Sequence, residues 1–216
     1  MGAQEAAERL RSGLVEHRLW LDSYLTRGQQ LVLQETDFSG LDLCGLDLGQ
    51  TDLAGSDFSG ANVTETTFGA CNLASANFNG ATARKAIFGK ANLTYARFDH
   101  ADLEEASFLK AQAWETSFVG ADLRRAVLAH MRALVTDFSH ADLRGADLTD
   151  IRLLRSRFGG ADLRGAVGID AIRIPRKIRE DDEPDLIDIG GDRVDHAAFI
   201  AWALAQAARP ADDRAG

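Results

Sequence analysis

Lysine and arginine are missing from residues 31 to 80, a stretch that holds seven carboxylates. A surface of that kind cannot neutralise phosphates, and with a net charge of −9 the chain is not expected to bind nucleic acid directly. Cysteine is scarce: Cys44 and Cys71 lie 27 residues apart, with no Cys-x-x-Cys and no Cys/His partner, so neither a disulfide framework nor a zinc site is indicated. There is no apolar run of about 18 residues, which argues against a membrane-spanning helix. The first 30 residues carry four acids and four bases and lack the shape of a signal peptide, so the expected location is cytoplasmic. Gly-rich phosphate loops, His-Glu-x-x-His and nucleophile elbows are absent, so no enzyme, metal or cofactor is expected. All three prolines, Pro175, Pro184 and Pro210, fall in the last quarter of the chain.

What is present is a period of five. From Leu33 to Leu163, every fifth residue is apolar, 27 positions without one out of register. Two residues earlier stands a small side chain, as at Ala61, Ala76, Ala101 and Ala141, and between the two comes Asp, Asn or Thr in most copies. A short fixed period decides architecture before any secondary-structure propensity does. The pattern resembles the pentapeptide-repeat family. That resemblance implies an all-β fold, a right-handed quadrilateral β-solenoid with four pentapeptides per turn, whose central and small residues point inward.

A second period supports four sides. Every twentieth residue from Phe38 to Phe158 is Phe, and the opposite column reads Leu48, Phe68, Phe88, Phe108, Leu128 and Leu148. These rings are core residues, not a binding box. About seven coils at roughly 4.8 Å per rung predict a rod about 32 Å long. Solenoid ends expose unpaired backbone and need caps. The expected division is therefore an N-terminal helical cap over 1–30, the solenoid over 31–167, and a C-terminal segment over 168–216 with a capping or dimerisation helix. Leu10, Leu14, Leu19, Trp20, Leu21, Tyr24 and Leu25 mark the first cap as amphipathic. Asp195 opens the last helix, in which Phe199, Ile200, Trp202 and Leu204 are the cap or dimer residues, ending before Pro210.

Three surfaces are singled out. Asp37, Asp42, Asp47, Asp52 and Asp57 form an acidic partner-binding face at one end, and Glu180, Asp181, Asp182, Glu183, Asp185 and Asp188 add a second acidic stretch. Tyr95, Trp114, Leu134, Val135 and Leu154 form an apolar strip, either covered by the C-terminal segment or open to a partner. The column Asp102, Asp122, Asp142 and Asp162 reads as a solvated face neutralised by Arg124, Arg144 and Arg164, and His100 and His140, about 10 Å apart, cannot share a metal.

The sequence is similar to the fluoroquinolone-resistance members of the family. That similarity implies mimicry of B-form DNA, binding to DNA gyrase or topoisomerase IV, and a homodimer through the C-terminal helix. The alternative is a non-enzymatic scaffold using a flat solenoid face. The loops that help related proteins engage the topoisomerase have no counterpart here, and the later coils are rich in arginine. Salt separates the two, since electrostatic mimicry weakens with ionic strength and apolar binding does not.

Overall fold

The computed structural model describes residues 3–173 and 187–210. Helix α1 (Ala3–Asp22) leads into a coil that rises by one rung every twenty residues. Isolated parallel bridges pair Val32 with Asp52, Asp37 with Asp57, Asp42 with Asn62 and Asp47 with Thr67, and repeat upward in four columns to Asp147 with Val167. The residue before each inward side chain forms the bridge. Between bridges the chain turns, and every corner falls on a multiple of five with positive φ, whether Gly or not, as at Gly40 (64°), Gln50 (60°) and Glu65 (56°). One column becomes regular sheet: β1 (Gln112–Trp114), β2 (Arg132–Leu134) and β3 (Arg152–Leu154) are parallel in the order β1-β2-β3. Pairing continues past residue 167. A 3-10 turn (Ile169–Ala171) leads to Arg173, which bridges Arg152, and β4 (Ile187–Asp188) returns so that Asp188 bridges Arg157. β4 pairs antiparallel with β5 (Arg193–Val194), and α2 (His196–Ala207) follows.

All the inward positions from Leu33 to Leu163 are buried, and the small residues beside them close the core. Six consecutive ring pairs from Phe38 to Phe158 stack at 4.6–5.2 Å between centroids. Phe68, Phe88 and Phe108 stack at 5.0 and 4.9 Å and meet the first column edge-on at 5.3–5.7 Å. Both are the offset and T-shaped geometries that aromatic quadrupoles favour. From residue 56 onward, Ser and Thr at the small position donate their hydroxyls to the carbonyl 23 residues earlier: Ser56 to Leu33 (2.7 Å), Thr66 to Leu43 (2.8 Å), Thr136 to Ala113 (2.7 Å). Among the described residues, no buried side-chain nitrogen or oxygen lacks a partner.

The caps do what the raw ends require. α1 buries Ala6, Leu10 and His17, one stripe at helical spacing, and Gly13 lies in that stripe because a Cβ there would stand 2.3 Å from Leu31 Cδ1. Leu19, Tyr24 and Leu25, expected on the packed side, are exposed: the stripe is set by Gly13 and His17, and Tyr24 and Leu25 lie beyond the helix end. His17 replaces a missing coil. Its Nε2 donates to Gly49 O (2.7 Å) and its Nδ1 accepts from Leu31 N–H (3.1 Å), which fixes the neutral tautomer. Gln30 Nε2 does the same for Gln50 O at 2.8 Å. At the other end, Asp195 caps α2 by accepting from Ala198 N–H (2.9 Å), and Ala207 O accepts from Gly165 N–H (2.8 Å), a donor of the final coil.

Candidate functional site

The five aspartates expected as one face are instead distributed around the rod. Asp37 and Asp57 share a column, while Asp42, Asp47 and Asp52 each stand on a different one, because residues five apart occupy consecutive sides and only residues twenty apart stack. The result is an anionic girdle around the first coils. Above it the next rung is amide on three of its four sides: Asn62 Nδ2 donates to Asp42 Oδ1 (2.9 Å), Asn72 to Asp52 (2.9 Å) and Asn77 to Asp57 (3.0 Å), while Thr67 stands above Asp47. Carboxylates are thus held in place without being neutralised. Ser39, through its hydroxyl and its N–H, holds Asp37 below the usual carboxylate range. Among the described residues, the one ion pair made by these five is Arg18 with Asp47 at 3.9 Å, both well exposed.

The Asp102–Asp162 column is different. Arg124 forks onto Asp122 through Nε (2.8 Å) and Nη2 (2.6 Å), Arg144 onto Asp142 at 2.8 and 2.6 Å, and Arg164 onto Asp162 at 2.9 and 2.6 Å. Burial raises Asp122 and Asp162, but the guanidinium and its backbone N–H overcome it and both end below the ordinary range. One carboxylate here escaped the sequence reading. Glu104 is almost wholly buried on the surface side and gathers Arg84, Arg124 and Arg125 around it. Its signal was available, since the same slot one rung below and one above carries Arg84 and Arg124. The expected histidines lie flat over glycine corners: a Cβ at Gly120 would stand 2.6 Å from His100 Nδ1, and at Gly160 2.4 Å from His140 Nδ1.

Trp114, Leu134 and Leu154 are in register across β1–β3, with Tyr95 and Val135 at neighbouring corners. Exposure falls along the strip. Tyr95 and Trp114 are more than half exposed (54% and 53%), Leu134 is partly covered, and Leu154 is buried at 8%. Leu154 is therefore not part of an open surface. α2 divides likewise. Phe199 is fully buried and packs on Phe158 at 5.1 Å with its ring tilted by 46°, closing the Phe column, whereas Leu204 is exposed at 47% and Ile200 and Trp202 are partly covered. Phe199 serves as cap; Ile200 and Leu204 border an outward cleft. The acidic residues at 180–185 lie outside the described residues, while Asp188 accepts from Gly190 and Gly191 N–H at 2.8 Å in the β4–β5 turn. No described helix is long and apolar enough to cross a membrane.

Comparison with known proteins agrees with this architecture. A family model described as pentapeptide repeats matches in eight copies, over residues 32–69, 71–108 and 136–167. No functionally curated protein matches the chain. Among solved structures, a trypsin-treated variant of QnrB1, a plasmid-mediated fluoroquinolone resistance protein, aligns with a TM-score of 0.61 at 20% identity, covering 84% of this chain and 100% of that one. Full-length QnrB1 aligns with a TM-score of 0.54 at 18% identity over 81% and 97%. HetL, a pentapeptide repeat protein involved in heterocyst differentiation regulation in the cyanobacterium Nostoc sp. strain PCC 7120, gives a TM-score of 0.43 at 22% identity over 68% and 79%. The family match leaves out 109–135, the segment that holds β1, β2 and Trp114. With the five-residue period, the twenty-residue rung and half the chain matched by the family model, the chain belongs to the pentapeptide-repeat family.

Proposed function

We propose that the protein is a non-catalytic, cytoplasmic DNA mimic that occupies the DNA-binding groove of DNA gyrase or topoisomerase IV and shields the enzyme from inhibitors. The observation that carries this reading is the anionic girdle: seven carboxylates and no lysine or arginine over residues 31–80, with Asp42, Asp52 and Asp57 held by asparagines of the rung above. Fixed carboxylates compete for a basic groove built to take phosphates. The fold it shares with QnrB1, itself a fluoroquinolone resistance protein, supports the same reading. The proposal includes a right-handed square coil of about seven turns, the division into 1–30, 31–167 and 168–216, and a homodimer through the outward side of α2 at Ile200, Trp202 and Leu204. Two rods of about 32 Å joined end to end span about 64 Å, or roughly 19 base pairs.

The test is a gyrase supercoiling assay, titrating the protein with and without a fluoroquinolone. Replacing Asp37, Asp42, Asp47, Asp52 and Asp57 with Asn keeps the turn acceptors, and at Asp42, Asp52 and Asp57 it matches the Asn already present one rung above. The expected result is inhibition or rescue by the native protein, lost in the Asn variant and weakened steeply by salt. A folded protein with no effect on gyrase or topoisomerase IV would end this reading.

A second reading, a protein-interaction scaffold, is favoured by one observation. Tyr95 and Val135 adopt φ of 61° and 58° while exposing apolar surface beside Trp114. Left-handed φ is costly for a β-branched residue, and a solvent-facing corner gains nothing from it. Binding through this strip would be insensitive to salt and lost on Trp114→Ala.

A further inference from the structure

Arginines on this rod come in two kinds. Arg97, Arg124, Arg125, Arg144 and Arg157 each hold a carboxylate at 3.1 Å or closer. Arg132 and Arg152 do not: no carboxylate among the described residues lies within 4.0 Å of either. They nevertheless face each other directly, Arg132 opposite Arg152 in the β2–β3 register, with Arg173 bridged to Arg152 on the next rung. At about 4.8 Å per rung, three guanidinium-bearing positions stand in a line about 10 Å long. Lys110 and His130 close one side, giving a cleft of about 350 Å³. Among the described residues, the carboxylate lining it is Asp150, already bound by Arg173 Nε at 2.6 Å and facing His130 Nδ1 at 3.7 Å. Four permanent cations therefore share one carboxylate among the described residues.

Like charges directly opposite each other destabilise a sheet. The fold does not demand them here, since the same column carries uncharged Gln112 one rung below. In a chain of net charge −9, arginines stacked in this way, two of them without a carboxylate partner among the described residues, are matched to a ligand rather than to the fold. We infer that the cleft formed by Lys110, His130, Arg132, Arg152 and Arg173 binds an oligophosphate, the chemistry shared by inorganic tripolyphosphate and nucleoside triphosphates. Planar guanidinium forks take phosphate oxygens bidentately, and a line of three matches a row of phosphates where a single carboxylate would satisfy one. Trp114 stands two residues from Gln112, on the same outward face of β1, within reach of a base whose phosphates occupy the arginine column.

The test is thermal unfolding of the full chain at low salt with about 1 mM tripolyphosphate, ATP or a single-stranded oligonucleotide, against sodium chloride of equal ionic strength. Tripolyphosphate is expected to raise Tm saturably, above the chloride control. The double variant Arg132→Gln, Arg152→Gln is expected to raise the unliganded Tm, by removing the repulsion, and to weaken tripolyphosphate at least about tenfold. Arg125→Gln, which removes a paired arginine, should leave the response unchanged. Tighter binding of ATP, with fluorescence quenching that disappears in Trp114→Phe, identifies a nucleotide; equal affinity identifies the inorganic chain. The inference is overturned if chloride matches tripolyphosphate, if the double variant responds like the native chain, if the double variant's unliganded Tm falls, or if the oligonucleotide binds in clear preference to tripolyphosphate, which would make the surface a nucleic-acid site.

Discussion

Phe98 is the residue on which the stacked-column account of stability can be tested most sharply. It is fully buried and stacks on Phe78 (4.8 Å) and Phe118 (5.0 Å), while Phe88 (5.3 Å) and Phe108 (5.7 Å) meet it edge-on. Phe38, equally buried at the start of the same column, has a single ring neighbour, Phe58 at 4.9 Å. Truncating a buried Phe to Ala costs about 3–5 kcal/mol in lost transfer energy and residual cavity. Each aromatic pair adds about 0.5–1.5 kcal/mol beyond area, so three extra pairs separate the two sites by about 2 kcal/mol or more. Phe98→Ala is expected to cost about 5 kcal/mol and Phe38→Ala about 3 kcal/mol. Phe98→Leu should cost far less than Phe98→Ala, because the facing column already accepts Leu at 48, 128 and 148. Equilibrium urea unfolding followed by circular dichroism reads these differences as midpoints. A fall in m for Phe98→Ala alone would mean that the array parts at the middle rung, as nearest-neighbour coupling allows. Equal costs at positions 38 and 98, or a Leu variant as unstable as the Ala variant, would refute the reasoning and reduce the Phe column to generic burial.

Burial pushes the Cys71 thiol up to about 12, and its Sγ contacts Leu48 O at 2.8 Å while Cys44 is exposed, so Ellman's reagent should titrate one thiol in the native protein and two after denaturation. Asp122 and Asp162 have folded pKa values below the unfolded value of about 3.9, so the stability they give is present above that pH and is lost as pH falls through the folded values; their side chains are about 30% exposed, and thermal unfolding between pH 5 and about 2 should show a loss near 1 kcal/mol or less per pair. His17→Ala orphans Leu31 N–H and Gly49 O beneath α1 and should cost about 2–4 kcal/mol by calorimetry, with loss of α1 protection in hydrogen exchange. Val135→Gly relieves a left-handed β-branched corner and should stabilise the isolated protein by up to about 1 kcal/mol; destabilisation instead would show that the valine side chain is held by packing.

The solenoid was legible because its information is periodic: a five-residue register names the inward positions, and the run of Phe from 38 to 158 names the rung. Asp195 likewise marked the start of α2 through ordinary capping chemistry. What escaped lies where periodicity stops or where its two periods compete. The aspartates at 37 to 57 look like one row in a five-residue frame but encircle the rod in the twenty-residue frame that governs contact. Leu154 has the same spacing as Trp114, yet it is buried where Trp114 is exposed. The docking of α1 was hidden because its determinants, Gly13 and His17, sit on the helical stripe without being apolar. A local trace did exist: the small position holds Leu at 41 and 46, where later coils hold Ala, and both leucines are packed beside Leu10 and Leu14 in the cleft under α1.

Departures from the repeat therefore carry more functional information than the repeat itself. A coil whose core and ladder are satisfied by apolar, small and turn residues leaves its outward positions without structural duty. Where such positions carry Asn over Asp, or Arg forked onto Asp, local electrostatics account for the choice. Two concentrations of charge are not explained in this way, an anionic girdle around the first coils and the Arg132–Arg152–Arg173 stack on β2, β3 and the rung above them, in which Arg173 alone binds a carboxylate, Asp150. The two make opposite demands on a partner. A basic groove that accepts the girdle would be repelled by the arginine stack, so a rod seated lengthwise in such a groove must turn that side outward. Neutralising the stack with Arg132→Gln and Arg152→Gln should consequently leave topoisomerase binding unchanged or strengthen it, whereas a loss of binding would place the arginine side, not the girdle, against the enzyme.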